Sequence, residues 1–284
     1  MTRDDNVKIF SETLDYINSN ELLKSSVSNS IKGTKIYLEK DAPKRNISLT
    51  KVSNLNNVFV SQNKSFEAAI KILEKNGDAK VGVLNFASAS NPGGGVKNGS
   101  FAQEESLCRC STLYPCLTTE ELWNKFYYPH RKASNPLHND DIIYIPDIYI
   151  CRSDDGLFKK GIFGKVDIIT CAAPNLREAP SNRYNSYGRA IDKVDIDDDK
   201  LFDLHVKRAL AIINVAKENK IDILILGAFG CGAFRNNPYV VAEAYHKVLE
   251  QEAINFKEIE FAVYCRSFED ENYQAFKSYF KERK

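Results

Sequence analysis

The sequence predicts an α/β domain with a largely parallel or mixed central sheet flanked by helices. Three apolar runs of strand length carry this prediction, at residues 81–87, 165–171 and 221–228. Such nearly continuous apolar runs are typical of strands that are buried on both faces. Segments with helical spacing separate the runs, and strands that alternate with helices form the layered sheets of α/β proteins.

The other elements follow from local patterns along the chain. Residues 7–23 carry apolar side chains at helical spacing, and residues 25–33 are polar. We expect residues 1–33 to form an N-terminal helical extension packed on a domain of residues 34–284. Residues 122–139 are rich in Tyr, Pro, His and Asn, which predicts a long, irregular surface loop. Further strands are predicted at residues 34–38, 47–52, 144–151 and 259–264, and further helices at residues 66–75 (capped by Ser65), 201–219, 238–252 and 268–280.

The charge balance argues against duplex DNA as the main partner. The chain has 39 basic and 38 acidic residues, a formal net charge of +1, whereas duplex-binding proteins carry an excess of basic side chains. No apolar run approaches the roughly 20 residues that span a bilayer. The first residues are charged and lack an apolar segment behind them, so no secretory signal is expected. We therefore expect a cytoplasmic protein, or a nuclear one in a eukaryotic source.

Cysteine and histidine spacing predicts no metal site. The seven cysteines contain no C-x-x-C pair, and Cys108 and Cys110 are too close together and too isolated for a zinc site. The four histidines are scattered along the chain. The odd number of unpatterned cysteines fits a reducing intracellular compartment. Neither a metal nor a cofactor is expected.

A glycine-rich loop follows the apolar run at residues 81–87. It contains Asn91 and three consecutive glycines, Gly93, Gly94 and Gly95. Glycine adopts positive φ angles readily and lets a ligand approach the backbone closely. The alternative interpretation is a flexible connector or a β-bulge.

Gln103, Glu104 and Glu105 lie at the start of the next helical segment. Carboxylates in a first turn can simply complement the helix dipole. Adjacent helical residues point about 100° apart, so the two glutamates are expected to do different work, one holding a hydroxyl and the other handling a proton. A general acid needs a raised pKa. A helix N-terminus lowers the pKa of a carboxyl group, whereas burial beside a bound diphosphate would raise it.

A second glycine-rich loop lies between the apolar run at residues 221–228 and a predicted helix. Backbone N–H groups before a helix, at the carboxyl end of a strand, form anion sites, although a tight turn is an equal alternative. Of Phe229 and Phe234, one is expected in the core. Arginines near the loops, such as Arg109 and Arg177, are expected to be solvated unless they face a phosphate. The loop comprises Gly230, Cys231, Gly232, Ala233 and Phe234.

Together the two loops and the carboxylates suggest a phosphate-bearing ligand, and they resemble a known signature. Microbial-type poly(ADP-ribose) glycohydrolases have a triple glycine followed, after six to eight residues, by Gln-Glu-Glu. Here seven residues separate Gly95 from Gln103. The resemblance extends through residues 172–175 and 227–236. It implies a macrodomain over residues 34–284, with a mixed central sheet flanked by helices.

The resemblance also implies the role of each loop. Asn91 and Gly93 to Gly95 would wrap the diphosphate and the distal ribose of ADP-ribose. Gly230 to Phe234 would form the second diphosphate loop, with Phe234 against the distal ribose.

For the acidic group, the resemblance implies that Glu105 is the catalytic acid/base. Glu104 would bind ribose hydroxyls and Gln103 would support both glutamates. The implied activity is metal-independent hydrolysis of ribose–ribose bonds from the ends of poly(ADP-ribose), which releases ADP-ribose.

Two alternatives remain open on the sequence. The first is a macrodomain hydrolase that removes mono-ADP-ribose from protein side chains or nucleic-acid bases. The second is a non-catalytic module that binds ADP-ribose. The presence of both Glu104 and Glu105 argues against the binding module.

Overall fold

An eight-stranded sheet forms the centre of the computed structural model, which describes residues 1–41, 54–155, 157–179, 193–266 and 268–283. The strand predicted at residues 47–52 lies outside the described residues. The strands are β1 (Lys35–Tyr37), β2 (Val58–Ser61), β3 (Val81–Phe86), β4 (Ile142–Arg152), β5 (Lys160–Cys171), β6 (Ile223–Leu226), β7 (Glu258–Ala262) and β8 (Lys281–Glu282).

The sheet is mixed, as the sequence predicts. Its order is β1-β4-β5-β3-β6-β7-β2-β8. From β5 to β8 neighbouring strands are parallel, whereas β4 is antiparallel to β5 and β1 is antiparallel to β4. Parallel strands end at one edge of the sheet, so the segments that follow β3, β6 and β7 lie side by side there.

Helices cover both faces of the sheet. Successive strand residues point to opposite faces, and Ile168 and Ile169 of β5 accordingly pack into different core clusters. Helices α8, α9 and α10 cover one face, and α1, α3, α4 and α5 cover the other. The helices are α1 (Arg3–Ser19), α2 (Glu21–Lys32), α3 (Ser65–Lys75), α4 (Gln103–Cys110), α5 (Leu113–Leu117), α6 (Glu120–Leu122), α7 (Tyr128–Ala133), α8 (Asp198–Glu218), α9 (Pro238–Glu252) and α10 (Glu271–Lys277).

The N-terminal region contains two helices, where the sequence predicts one helix followed by a polar stretch. Asn20 ends α1 and caps α2, because its side chain accepts a hydrogen bond from the Leu23 N–H at 3.2 Å. The polar stretch is helical because Ser26 and Ser30 are buried, which lets α2 pack closely on β4. The division of the chain at residue 33 stays a prediction.

Side chains of α1 hold the segment that runs from the end of the first glycine loop to the last turn of α4. The Asn6 amide nitrogen donates to the Gly99 carbonyl oxygen at 3.0 Å, in a buried contact. The Thr13 hydroxyl donates to the Arg109 carbonyl oxygen at 2.7 Å. The Arg152 Nε in turn donates to the same hydroxyl at 2.7 Å. Helix α1 is therefore bonded to both ends of this segment.

The prediction of an irregular surface loop at residues 122–139 is wrong for residues 122–133, which are helical, whereas residues 134–139 are in neither helix nor strand. A π-helical turn, Trp123–Tyr127, links α6 to α7. Phe126, Tyr127 and His130 are buried. Pro129 is tolerated because it lies in the first turn of α7, where its missing N–H is not needed.

Most other predicted elements are confirmed with small changes at their ends. Helix α9 has the predicted bounds, and α8 begins three residues before the predicted start. Ser65 is not a cap, since it is the first residue of α3 and Lys64 precedes the helix as its cap. None of the helices in the described part of the chain is long and apolar enough to cross a membrane.

Candidate active site

A cleft of about 850 Å³ opens at the edge of the sheet where β3, β6 and β7 end. This volume is within the range of small-molecule sites, about 300–1,000 Å³. Among the residues predicted from the sequence to act in catalysis or ligand binding, Gly93 and Cys231 do not line the cleft. Those that do are Asn91, Gly94, Gly95, Gln103, Glu104, Glu105, Gly230, Gly232, Ala233 and Phe234.

The first glycine loop lies directly over the two glutamates. Gly94 has a φ of +57°, a conformation that L side chains rarely adopt. A Cβ at Gly94 would lie 2.6 Å from Glu105 Oε1 and 3.0 Å from Glu104 Oε2. Both the backbone conformation and the close approach therefore require glycine. Gly93 faces away from the cleft, towards the Tyr114 ring and the Cys108 sulfur.

Glu105 lies at the cleft wall with 7% of its surface exposed. Its Oε1 accepts a hydrogen bond from the Gly95 N–H at 2.8 Å. Burial raises the pKa of Glu105, and the Gly95 N–H and the Arg109 charge oppose this effect. The raised pKa that a general acid needs is therefore present, and burial by the protein itself produces it.

Glu104 is buried more deeply than Glu105 and has its own hydrogen bonds. Its Oε2 accepts from the Ser88 N–H at 2.8 Å, and its Oε1 accepts from the Asn85 amide at 3.4 Å. Burial first, and then the charge of Glu105, raises the pKa of Glu104 well above its usual range. Two buried carboxyl groups this close disfavour double ionisation, so the pair favours a state that retains a proton.

Gln103 joins α4 to the end of the central strand β3. Its side-chain oxygen accepts from the Phe86 N–H at 2.9 Å. Its amide nitrogen donates to the Leu84 carbonyl oxygen at 2.7 Å and to the Ser65 hydroxyl at 3.0 Å. These bonds fix the start of α4, and hence both glutamates, relative to the sheet.

The second glycine loop forms the opposite wall of the cleft. Gly230 has a φ of +81°, and a Cβ there would lie 2.7 Å from the Ala173 Cβ. Phe229 is fully buried in the core, whereas Phe234 lines the cleft, so one phenylalanine is in the core as predicted. Cys231 packs against the core, and burial raises the pKa of its thiol, which disfavours a nucleophilic role.

Helix α9 contributes less to the cleft than its position in the sequence suggests. It begins at Pro238, and its cap, Asn237, accepts a hydrogen bond from the Tyr239 N–H at 3.1 Å. Neither Asn237 nor Pro238 lines the cleft. The cleft wall is formed by the loop itself and not by the helix N-terminus.

Two arginines near the loops are not the solvated side chains that the sequence suggests. Arg109 is 2% exposed, and it donates to the Ser100 carbonyl oxygen at 2.6 Å. Arg177 lines the cleft with its guanidinium carbon 5.6 Å from the centre of the Phe234 ring. Cations favour the face of an aromatic ring, so Arg177 orients Phe234 within the cleft.

A further part of the cleft was not predicted from the sequence. Lys64 and Tyr264 line it, and the Lys64 ammonium lies 5.5 Å from the centre of the Tyr264 ring. Phe158 and Asp154 line the same region, and Lys64 forms an ion pair with Asp154 at 3.1 Å. The position of Tyr264 just beyond β7 was the available signal, since parallel strands end at the same edge.

The fold and the site define a mixed α/β protein with a carboxylate pair beneath a glycine loop, and comparisons with known proteins name its family. A model of the microbial-type PARG catalytic domain matches residues 5–153. This range includes the first glycine loop and both glutamates. The chain therefore belongs to the microbial-type PARG family, the poly(ADP-ribose) glycohydrolases.

Solved structures extend this similarity over the rest of the chain. The poly(ADP-ribose) glycohydrolase of Thermomonospora curvata, bound to the inhibitor ADP-HPD, is 26% identical with a TM-score of 0.77, and the match covers 98% of this chain and 100% of that one. The enzyme of Deinococcus radiodurans in complex with ADP-ribose is 31% identical with a TM-score of 0.72, and the match covers 89% and 96% of the two chains. Among curated protein sequences, none matched significantly.

Proposed function

We propose that this chain is a poly(ADP-ribose) glycohydrolase that cleaves ribose–ribose O-glycosidic bonds at the ends of the polymer and releases ADP-ribose. Membership of the PARG family gives the class of reaction. One observation carries the proposal for this chain: Glu105 lies in the cleft wall beneath the first glycine loop, almost fully buried and with a raised pKa.

The two loops give the proposed orientation of the ligand. The diphosphate of ADP-ribose lies between the backbones of Gly95 and Gly232, where no side chain keeps it at a distance. The distal ribose lies between Gly94 and the Phe234 ring. Its anomeric carbon then faces the glutamates.

Glu105 acts as general acid and then as general base. Its carboxylic acid protonates the glycosidic oxygen, which departs as a ribose hydroxyl while the bond to the anomeric carbon breaks through an oxocarbenium-like transition state. The resulting carboxylate accepts a proton from the attacking water, which supplies the new hydroxyl on the anomeric carbon. One carboxyl group therefore does both proton transfers, and no second carboxyl group acts as nucleophile or base as in most glycosidases.

Glu104 holds the ribose for this reaction. Its bond to the Ser88 N–H fixes the carboxyl group deep in the cleft wall. A fixed acceptor that bonds ribose hydroxyls lowers the entropy lost on reaching the transition state. Gln103 supports this geometry through its bonds to β3.

We place the protein in the cytoplasm.

The reaction as proposed uses no metal. In the described part of the chain, no three His, Cys, Asp or Glu side chains converge in the way a metal site requires. Activity with labelled poly(ADP-ribose) should accordingly persist in excess EDTA. A large loss on chelation, restored by one divalent cation, would contradict this part of the proposal.

The decisive experiment compares wild type, Glu105→Gln and Glu120→Gln on labelled poly(ADP-ribose). Glu105→Gln keeps an acceptor for the Gly95 N–H but removes the proton donor, so the rate should fall by about 10²–10⁴-fold, the typical contribution of general acid–base catalysis. Glu120 is an exposed glutamate in the first turn of α6 and serves as the matched control. Its substitution should leave the rate unchanged.

A mono-ADP-ribosylated peptide distinguishes the alternatives in the same assay. Release from the peptide but not from the polymer would identify a mono-ADP-ribose hydrolase. Tight ADP-ribose binding without release from either substrate would identify a binding module. Either result would overturn the proposed function.

A further inference from the structure

The helical segment at residues 120–133 supports the first glycine loop from behind. The Arg131 Nη2 of α7 donates to the Asn91 side-chain oxygen at 2.5 Å. Arginine has only donor groups, so the atom that faces it must be the amide oxygen and not the amide nitrogen. The bond therefore also fixes the direction of the Asn91 amide nitrogen, which lies 3.5 Å from the Ser90 hydroxyl oxygen, and Asn91 lines the cleft.

Trp123 holds Arg131 in turn. The Arg131 guanidinium carbon lies 5.1 Å from the centre of the Trp123 ring, and both side chains are partly buried. Stacking on an aromatic face orients the planar guanidinium group and reduces the freedom that it would lose on bonding Asn91. Trp123, Arg131 and Asn91 thus form one continuous chain of contacts that ends in the cleft.

The π-helical turn makes this chain of contacts possible. In a regular α-helix, residues eight positions apart differ in direction by about 80°. A π turn contains about one more residue than an α turn and so rotates Trp123 back towards the face of Arg131. Single π turns inside helical segments are frequent at functional sites.

The same segment also approaches the glutamates. Tyr127, the last residue of the π turn, is fully buried. Burial, and then the nearby charge of Glu104, raises the pKa of its phenol. Tyr127 packs in the same core cluster as Leu107 and Cys108 of α4, so the segment supports the helix that carries the glutamates as well as the glycine loop.

We infer that Arg131 is a positioning residue, which acts through Asn91 to bind the distal part of the ligand. The Asn91 amide nitrogen carries two N–H groups, of which one faces the Ser90 hydroxyl. With the amide oxygen held by Arg131, the other N–H donates to an acceptor oxygen of the ligand, a ribose hydroxyl or a phosphate. The inference rests on the proposed function for the identity of this ligand. Trp123, the only tryptophan of the chain, senses occupation of the cleft through Arg131.

The test combines kinetics on labelled poly(ADP-ribose) with a double-mutant cycle. Arg131→Met should raise KM about tenfold, as expected for a lost charge-assisted hydrogen bond, and leave kcat nearly unchanged because binding is weakened equally in the ground and transition states. Arg131→Lys should restore part of the affinity. In an Asn91→Ala background, Arg131→Met should have no further effect, since both changes remove the same contact.

Lys132→Met is the matched control, because Lys132 is the exposed cation next to Arg131 on the same helix. It should leave both kinetic constants unchanged. An unaltered KM in Arg131→Met would overturn the inference. The inference would also be overturned if Arg131→Met raised KM equally with and without the Asn91 side chain. A melting temperature of Arg131→Met far below that of the wild type, with no recovery of affinity in Arg131→Lys, would overturn it as well.

Tryptophan fluorescence separates this inference from the proposed function. Titration with ADP-ribose should change the Trp123 emission of the wild type, and Arg131→Met should abolish the change at saturating ligand. A wild type that binds ADP-ribose with this change but releases nothing from the polymer would refute the proposed function alone. A wild type that hydrolyses the polymer while Arg131→Met retains the full emission change would refute the inference alone.

Discussion

The two glycine loops of the cleft are held in place by different chemistry. The first loop is bonded to ionisable side chains, since the Gly95 N–H bonds the Glu105 carboxyl group and Asn91 bonds Arg131. The second loop is bonded to a neutral side chain. The Asn236 amide nitrogen donates to the Gly230 carbonyl oxygen at 3.0 Å and to the Pro174 carbonyl oxygen at 2.7 Å.

A buried histidine completes the support of the second loop. His205 of α8 is fully buried and bonds the Asn236 side-chain oxygen at 2.8 Å. Because the Asn236 nitrogen donates to carbonyl groups, its oxygen must accept, so the His205 Nε2 carries the proton. Burial lowers the pKa of His205 to about 4, which keeps the ring neutral near pH 7. The first loop is thus coupled to the protonation state of Glu105, whereas the second loop is held by groups that stay neutral near pH 7.

The two loops should differ most, in stability and activity, when one glycine of each loop is replaced by alanine. Gly94→Ala places a Cβ against both glutamates and costs about 1–3 kcal/mol for its positive φ alone. A displacement of the catalytic groups by about 1 Å can reduce the rate 10²-fold, and we expect a loss of that order in polymer hydrolysis. Thermal melting and initial rates measure the two effects.

Gly232→Ala is the control in the second loop. A Cβ there meets no atom within 4 Å. Its melting temperature should equal that of the wild type. If Gly94→Ala were as stable and as active as the wild type, the first loop would have to accommodate the added Cβ without displacing the glutamates. That result would contradict the close approach described above.

An intermediate effect is expected from Asn236→Ala. This change leaves the buried His205 N–H and the Pro174 carbonyl oxygen without this partner, whereas the Gly230 carbonyl oxygen keeps the Asn236 backbone N–H at 3.1 Å. Each unsatisfied buried group costs about 1–3 kcal/mol. Urea unfolding should show the loss, and ADP-ribose affinity should fall because the second loop is no longer fixed. Asn18→Ala, at an exposed asparagine of α1, should reduce neither. Full stability in Asn236→Ala would mean that the loop keeps its shape without this amide.

The smallest effects should be opposite pH dependences of stability. The folded pKa of Glu105 is raised, so its contribution to stability is present below pH 4.5 and is lost as the pH rises through the folded pKa. The folded pKa of His205 is lowered, so its contribution is present above pH 6.5 and is lost as the pH falls towards about 4. Burial also lowers the pKa of His138 to about 3, so His138 adds to the loss of stability at low pH.

Melting curves across the pH range test this contrast. Glu105→Gln should become more stable than the wild type at pH 8, with no gain at pH 4. His205→Gln should flatten the curve between pH 6.5 and 4. Differences of about 2–4 °C are expected, the shift that about 1 kcal/mol produces in a large domain. If the melting temperatures of the wild type and both variants changed with pH in the same way, neither Glu105 nor His205 would link its loop to pH. The proposed difference between the loops would then be wrong.

The sequence predicted the parts of the site that local chemistry determines. Three consecutive glycines and two adjacent glutamates are uncommon patterns with few structural explanations, and the apolar runs before the loops placed them at the end of buried strands. The bounds of α9 and the mixed sheet could be predicted for the same reason, since periodicity and capping are local.

The parts that long-range contacts determine could not be predicted. Ser26 and Ser30 have low helix propensity, and α2 forms because its small residues pack on β4, far along the chain. The Tyr- and His-rich composition of the segment containing Trp123 predicted exposure to solvent, yet Phe126 and Tyr127 are buried in the core. His205 and Arg131 act through side chains more than 30 positions away, and neither spacing nor composition marks such partners.

The bonds from α1 have a consequence for how the catalytic unit can be divided. A fragment that starts at residue 34 would contain every residue of the cleft loops and both glutamates. It would lack the Asn6 amide and the Thr13 hydroxyl, which bond the Gly99 and Arg109 carbonyl oxygens on either side of those glutamates. A fragment that keeps these two bonds therefore has to include α1, and moving this unit into another protein would have to carry α1 along.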